Sequence, residues 1–454
     1  MILLKNCYYI ASFDNDESFS DIDILIEGNR ISKIGKGINV APVKKNDLRT
    51  IDCSSLVVIP GLVNTHHHFY QTLTRNVKQV QNAKLFDWLV YLYEIWKNID
   101  EEAVYYSSLV AMGELLKTGC TLSTDHHYVY PNNFNGDLMG IQFKAAEKLG
   151  MRFSPARGSM SFGKKDGGLP PDSVVQTEAQ ILEDSLRVIE QYHDPSEDSM
   201  RKIVLAPCSP FSVTKENMKE TAKLAHNYKV RLHTHLAETK DEEDFCNEKF
   251  GKNPLALMEE VDFLGADVFF AHGIFFNDDE LKILNETNTS IAHCPSSNMR
   301  LGSGIARVRE MIDMGINVGI GVDGSASNDS SDMLGELRNA LLLQRVKYGP
   351  SGLTAIEAFK MGIENGNKIL NFHRAGKVKE GWLADLALFN INKIEYTGSL
   401  SDPLAALIFT GINHQTEYTI VNGKVVVDKG RLTGEDEEVI IKRGNEIADK
   451  LLQN

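Results

Sequence analysis

Between Ile59 and Gly349 short β-rich runs alternate with helical stretches, and no other feature of the chain restricts its fold so much. Eight runs can be counted: LVVIPGLVNT (56–65), CTLSTDHHY (120–128), MRFSPARG (151–158), KIVLAPCS (202–209), VRLHTHLAE (230–238), DVFFAHGIF (267–275), TSIAHCPSS (289–297) and INVGIGVDG (316–324). Each opens apolar and ends in polar or ionisable residues. The segments between them, such as AVYYSSLVAMGELLKTG (103–119) and NMKETAKLAHNYK (217–229), repeat apolar positions every three to four residues, as amphipathic helices do. Eight β/α units over roughly 290 residues predict an α/β fold of the (β/α)8 barrel type, in which chemistry sits at the carboxyl ends of the strands.

Outside this region the texture changes. DIDILIEGNRISKIGKG near the start, and ADLALFNIN and YTIVNGKVVVDKG near the end, read as short strands with Gly/Asn turns. Neither end can bury its strands alone, so residues 1–58 and 375–454 are expected to form one small β-sandwich beside a barrel of residues 59–374. EVIIKRGNEIADKLLQN reads as a closing helix. With 42% hydrophobic and 24% charged residues the chain is expected to be globular rather than disordered or coiled coil. The net charge of −14 disfavours nucleic acid and anionic lipid as partners, and no apolar run approaches the ~18 residues of a membrane helix. The start, MILLKNCYYIASFDND, turns acidic too soon for a secretory signal, so a cytoplasmic protein is expected. Six scattered cysteines without a CxxC pair suggest neither a disulfide framework nor a thiolate zinc site. A homo-oligomer is compatible with the sequence.

The histidines gather at predicted strand ends. In His66-His67-His68, alternate residues share a face, so His66 and His68 can point into the barrel mouth while His67 points away. Two imidazoles make half a metal site. On the fifth run His235 can complete a three-nitrogen site, and Glu238 can reach a metal-activated water as a proton shuttle; the plainer reading of Glu238 is a first-turn acid of the next helix. His233 shares the face of His235 but lies deeper, as a packed core residue. His272 and Asp323 end the sixth and eighth runs. A divalent ion such as Zn2+ or Fe2+ suits neutral imidazole with one carboxylate and lowers the pKa of water. Hydrolysis of an amidine-like C–NH2 then needs a shuttle such as Glu238, a carboxylate such as Asp323 to receive a proton, and a group such as His272 to stabilise the tetrahedral intermediate.

PGLVNTHHH, HLAE, FAHG, AHCPSSN and GVDGSASND, in this order, resemble the amidohydrolase superfamily and its mononuclear aminohydrolases of purines, pterins and triazines. The resemblance spans essentially the whole chain. It implies His66, His68, His235 and Asp323 as ligands of one divalent metal per chain, zinc first and ferrous iron second, with Glu238, His272 and Asp323 as catalytic groups. No lysine stands in APCS at the end of the fourth run, where binuclear relatives carry a bridging carboxylated lysine.

HHHFYQTLTR, ARGSMSFGKKDGGLPPDSVVQ and SNMRLGSGIA are most similar to the 8-oxoguanine deaminases. Gln71 matches the glutamine that guanine-deaminating relatives place against the ring amide, and an amide suits a lactam because it both donates and accepts. Arg157 can fork to a carbonyl or pair with an acid. Trp88 and Phe86 can stack on a ring or pack in the core. Tyr128 and Cys208 stand at strand ends as pocket candidates. The expected substrate is a small heterocycle, 8-oxoguanine, with guanine, a pterin or a triazine ring as alternatives and a non-catalytic scaffold as a remote one.

Overall fold

The computed structural model describes residues 1–40, 47–134, 136–410 and 414–453. Its centre is a barrel of eight parallel strands. The first is Leu62–Asn64; the second and third are each interrupted, into Cys120–Ser123 with His126–His127 and Arg152–Phe153 with Ala156–Ser159. Val204–Pro207, Arg231–Leu236, Val268–His272, Ser290–His293 and Val318–Ile320 complete the set, each within its predicted run. Ladder pairing runs unbroken from His126–His127 to Val318–Ile320. The eighth strand meets the first through Thr65 N–H donating to the Ile320 carbonyl and Asp323 N–H to that of His66, both at 2.9 Å.

Side chains alternate across each strand, so one set fills the barrel and the other meets the helices. Val63, Leu122, Ala156, Val204, Ala206, Phe269 and Ala292 form the inner layer, closed beneath by Ile369, Leu370 and Phe372. This layer makes an apolar plug across the barrel.

The predicted first run divides at Gly61. Leu56–Pro60 belongs to the sandwich, where it pairs antiparallel with Leu386–Asn390, and only Leu62–Asn64 enters the barrel. The chain therefore crosses between layers inside one apolar run, at a point where a Cβ would lie 2.0 Å from Thr121 Oγ1. Two sheets face each other beside the barrel: four N-terminal strands, and seven that mix both chain ends. Ile2, Leu4, Ile24, Ile26 and Ile51 of the first pack against Ile10, Val58, Leu386, Leu388 and Ile420 of the second. The closing helix, Glu437–Gln453, buries Ile440, Gly444, Ile447 and Leu451, and its Gly444 comes close to Val110 of the helix Glu101–Lys117. No helix among the described residues is long and apolar enough to cross a membrane.

Barrel and sandwich are also joined by a buried ion pair. Arg152 Nε donates to Asp385 Oδ2 at 2.8 Å, with both side chains almost wholly enclosed. Removing one partner leaves the other charge buried and uncompensated. Arg152→Met should therefore lower the unfolding free energy by about 3–5 kcal/mol in denaturant titration, and an apolar pair at 152 and 385 should recover much of that loss.

Candidate active site

Three strand ends carry residues in the left-handed region that side chains rarely adopt: Ala237 (φ 55°), His272 (φ 73°) and Asp323 (φ 64°). Such strain persists only where the surroundings enforce it. Ala237 shows how. The buried carboxylate of Glu242 accepts from the backbone N–H groups of Ala237 (3.0 Å) and Glu238 (2.9 Å), fixing the turn that aims Glu238 inward.

Hydrogen bonds orient four imidazoles. His233 Nδ1 donates to the Phe269 carbonyl (2.9 Å), so its Nε2 accepts from His66 Nδ1 (2.8 Å). His68 Nδ1 donates to the His126 carbonyl (2.8 Å), and His235 Nδ1 to that of Cys208 (2.7 Å). This network assigns the proton of His66, His68 and His235 to Nδ1 and leaves a lone pair on each Nε2. Burial holds all three rings below their ordinary pKa, so they stay neutral.

Those lone pairs then face one another. His68 Nε2 lies 3.1 Å from His235 Nε2, and Asp323 Oδ1 lies 3.3 Å from His66 Nε2 and 3.4 Å from His68 Nε2. His66 Nε2 is buried with no hydrogen-bond partner. Acceptors pointed at acceptors in a buried site are repulsive unless a cation stands among them. The residues present fit a divalent metal.

Beside this cluster His272 Nε2 lies 3.5 Å from Glu238 Oε2 and 4.0 Å from Asp323 Oδ2, while its Nδ1 donates to Asn298 Oδ1 (2.9 Å). Burial pulls the His272 pKa down, but the two carboxylates outweigh it and leave it raised. Burial pushes the Glu238 carboxyl up to about 7.

A cavity opens over these groups. The helix Leu85–Trp96 covers it with Leu85, Trp88, Leu89 and Tyr93, which share one face at helical spacing. Gln71, Tyr128, Cys208 and Phe211 line its walls. Gln71 Oε1 is buried and unpartnered, and Gly324 makes room for that side chain, since a Cβ there would lie 1.9 Å from it.

The structure thus brings His66, His68, His235, Glu238, His272 and Asp323 together and sets Gln71 and Trp88 on the cavity wall. Trp88 is also core, its ring edge-on to Trp96 at 5.4 Å. His67 turns away to Ser331 Oγ (3.0 Å). Arg157 corrects the expectation of a substrate contact. Its neighbour Ala156 occupies the inner layer, so alternation sends Arg157 outward, where Nε donates to Asp184 (2.9 Å), Nη2 to Gln176 (2.9 Å), and the guanidinium stacks 4.1 Å over Tyr130. Phe86 packs on Phe211 and does not line the cavity. Sequence reasoning missed Glu242, Asn298, Tyr93 and His126, whose ring stacks on His235 at 4.8 Å. Only Glu242, an acid in the first turn after HLAE, left a visible signal.

Comparison with known proteins agrees with this geometry. The model of the amidohydrolase family matches residues 57–426. An 8-oxoguanine deaminase of Pseudomonas aeruginosa is 45% identical over 401 residues, 88% of this chain and 89% of the relative. An isoxanthopterin deaminase from an unknown prokaryotic organism is 34% identical over 95% of this chain and 92% of its own length. The crystal structure of an atrazine chlorohydrolase from Arthrobacter aurescens TC1, complexed with zinc, superposes with a TM-score of 0.93 at 30% identity, covering 99% of this chain and 100% of that one. On fold, site geometry and sequence together, the chain belongs to the amidohydrolase family and is a hydrolase acting on C–N bonds of heterocycles.

Proposed function

We propose that this protein is a metal-dependent deaminase of an oxidised purine, converting 8-oxoguanine and water to urate and ammonia. The observation that carries the reaction type is the convergence of three Nε2 lone pairs and Asp323 Oδ1 beside the Glu238–His272 pair. His66, His68, His235 and Asp323 would hold one divalent ion, zinc before ferrous iron. Cys208 stands at the end of the fourth strand, where a second ion would need its bridging ligand. When bound, such an ion supplies the Lewis acidity that makes water a nucleophile near neutral pH.

The side chains handle the protons. A C–O bond forms at the ring carbon and the C–NH2 bond breaks, so the leaving nitrogen must gain a proton as water loses one. Glu238 reaches into the cavity and carries that proton, with a carboxyl poised near neutrality by burial. Asp323 Oδ2 takes part on the water side, and His272 Nε2 stabilises the oxygen that becomes negative. Gln71 offers its unpartnered amide oxygen to a ring N–H, and Trp88 covers the ring. The choice of 8-oxoguanine is supported by the 45% identical relative, while the isoxanthopterin deaminase supports a related bicyclic lactam.

Three outcomes test this reading. Elemental analysis should find about one divalent metal per chain, with His66→Ala and Asp323→Ala losing both metal and activity; two metals per site, or full activity without metal, would refute it. Glu238→Gln should keep its metal and its melting temperature but lose at least ~10²-fold in kcat, since an amide carries no proton; normal turnover would return Glu238 to the role of a helix-terminal acid. Ammonia release, measured across 8-oxoguanine, guanine, isoxanthopterin, adenosine, cytosine and hydroxytriazines, should be fastest in kcat/KM with 8-oxoguanine. An equal or higher value for guanine would remove the oxidised-purine assignment.

A further inference from the structure

We infer that Glu336, a buried acid on the helix Met333–Tyr348, is a positioning residue of the metal site, clamping the turn that carries Asp323 to the turn that carries Asn298, the partner of His272. The inference rests on the metal-site part of the reading above and names a group outside the cavity that sets its geometry.

Asp323 stands at φ 64°, a conformation that its surroundings must enforce. Beyond it the chain turns back through the short helix Ser325–Asn328, and Asn328 closes the loop. Its Nδ2 donates to the carbonyl of Val322, the residue before Asp323, and to Glu336 Oε1 at 2.5 Å. The other oxygen of Glu336 accepts from the Ser296 backbone N–H at 3.3 Å. Ser296 lies in the helix Pro295–Arg300, two residues before Asn298, whose Oδ1 holds His272 Nδ1. One carboxyl group therefore ties together the turns that follow the seventh and eighth strands, and the placing of Asp323 and His272 depends on those two turns.

A plainer account would make Glu336 a first-turn acid that complements the positive end of its own helix. That helix end is already capped by Asp332, whose Oδ1 accepts from Gly335 N–H at 3.0 Å, and the hydrogen bonds of Glu336 go to two other segments instead. Glu336 is 2% exposed, and its partners are amide donors rather than cations. Burying a carboxyl without a cation costs free energy that an apolar residue of similar size would not. What its two oxygens hold accounts for its presence. A carboxyl accepts at both oxygens, whereas the amide of glutamine accepts at one atom only, so the shape of the clamp is specific to glutamate. Ser297 Oγ, donating to Ser327 Oγ at 2.9 Å, links the same two turns beside it.

The test compares Glu336→Gln and Glu336→Leu with the parent, each loaded with zinc or with cobalt. Zinc affinity, read by competition with a colorimetric chelator, should fall about tenfold to a hundredfold in the Gln variant and further in the Leu variant, the size expected when ligands lose the group that orients them. In the zinc-loaded enzyme kcat should fall while KM stays near that of the parent, because Glu336 stands outside the cavity lining. The visible spectrum of the cobalt-loaded Gln variant should shift, reporting a changed ligand geometry. Melting of the metal-free chain reports the fold separately. Variants that melt lower yet keep the parent's zinc affinity and cobalt spectrum would show a merely structural role and overturn the inference, as would variants in which KM rises and kcat does not fall. Should the Leu variant not fold, the Gln variant decides by itself. Zinc affinity and the cobalt spectrum need no substrate, so a parent chain that deaminates neither 8-oxoguanine nor guanine loses the proposed substrate while Glu336 is still judged on the metal. A parent chain that binds neither zinc nor cobalt takes down the metal reading and this inference with it.

Discussion

Three imidazole lone pairs and a carboxylate oxygen held within a few ångströms of one another repel, and the carboxyl end of the barrel is organised around keeping them there. Each ring is locked from behind, His66 by His233 and the other two by backbone carbonyls of neighbouring strands. The strands are spaced by their own ladders, the ladders by the apolar plug beneath, and the strained turns at Ala237, His272 and Asp323 by buried polar partners. Free energy spent on ordering these groups during folding is not spent again when a cation arrives. This is preorganisation in its simplest electrostatic form.

The cavity carries few charges as a result. Its ionisable groups of catalytic strength are Glu238, His272 and Asp323 beside the imidazoles, and the rest of its lining is amide, hydroxyl, phenol, thiol and hydrocarbon. Charge that develops during the reaction is met where it appears. Selection among neutral rings is left to groups whose hydrogen bonds are individually modest, so a change of substrate within this family needs few substitutions among them.

Much of this was legible in the sequence, and the reasons are specific. The two-residue spacing of His66 and His68 and their place at the end of an apolar run gave the facing pair, and the same parity put His233 beneath His235. Parity without phase gave the error at Arg157. The alternation says that Arg157 opposes Ala156, and only the packed barrel shows that the small residue is the inward one. Tyr93 was invisible for a different reason. In LFDWLVYLYEIW Tyr93 falls on the same buried stripe as Trp88 and Trp96, and its place on the cavity wall is a property of three-dimensional surroundings rather than of spacing. The boundary strand was misread because Leu56–Pro60 and Leu62–Asn64 form one continuous apolar stretch, and the steric conflict with Thr121 that singles out Gly61 lies far away in sequence.

The crossing at Gly61 also bears on how the chain is made. The sandwich partner of Leu56–Pro60 is Leu386–Asn390, so a ribosome must translate nearly the whole barrel before that pairing becomes available. Until then an apolar strand continuous with the first barrel strand has one edge open, which is the situation in which strands find partners on other chains. A barrel cut out at residue 374 would carry that open edge permanently. The sandwich is therefore less an appendage to the barrel than the late step that closes the edge left open beside its first strand.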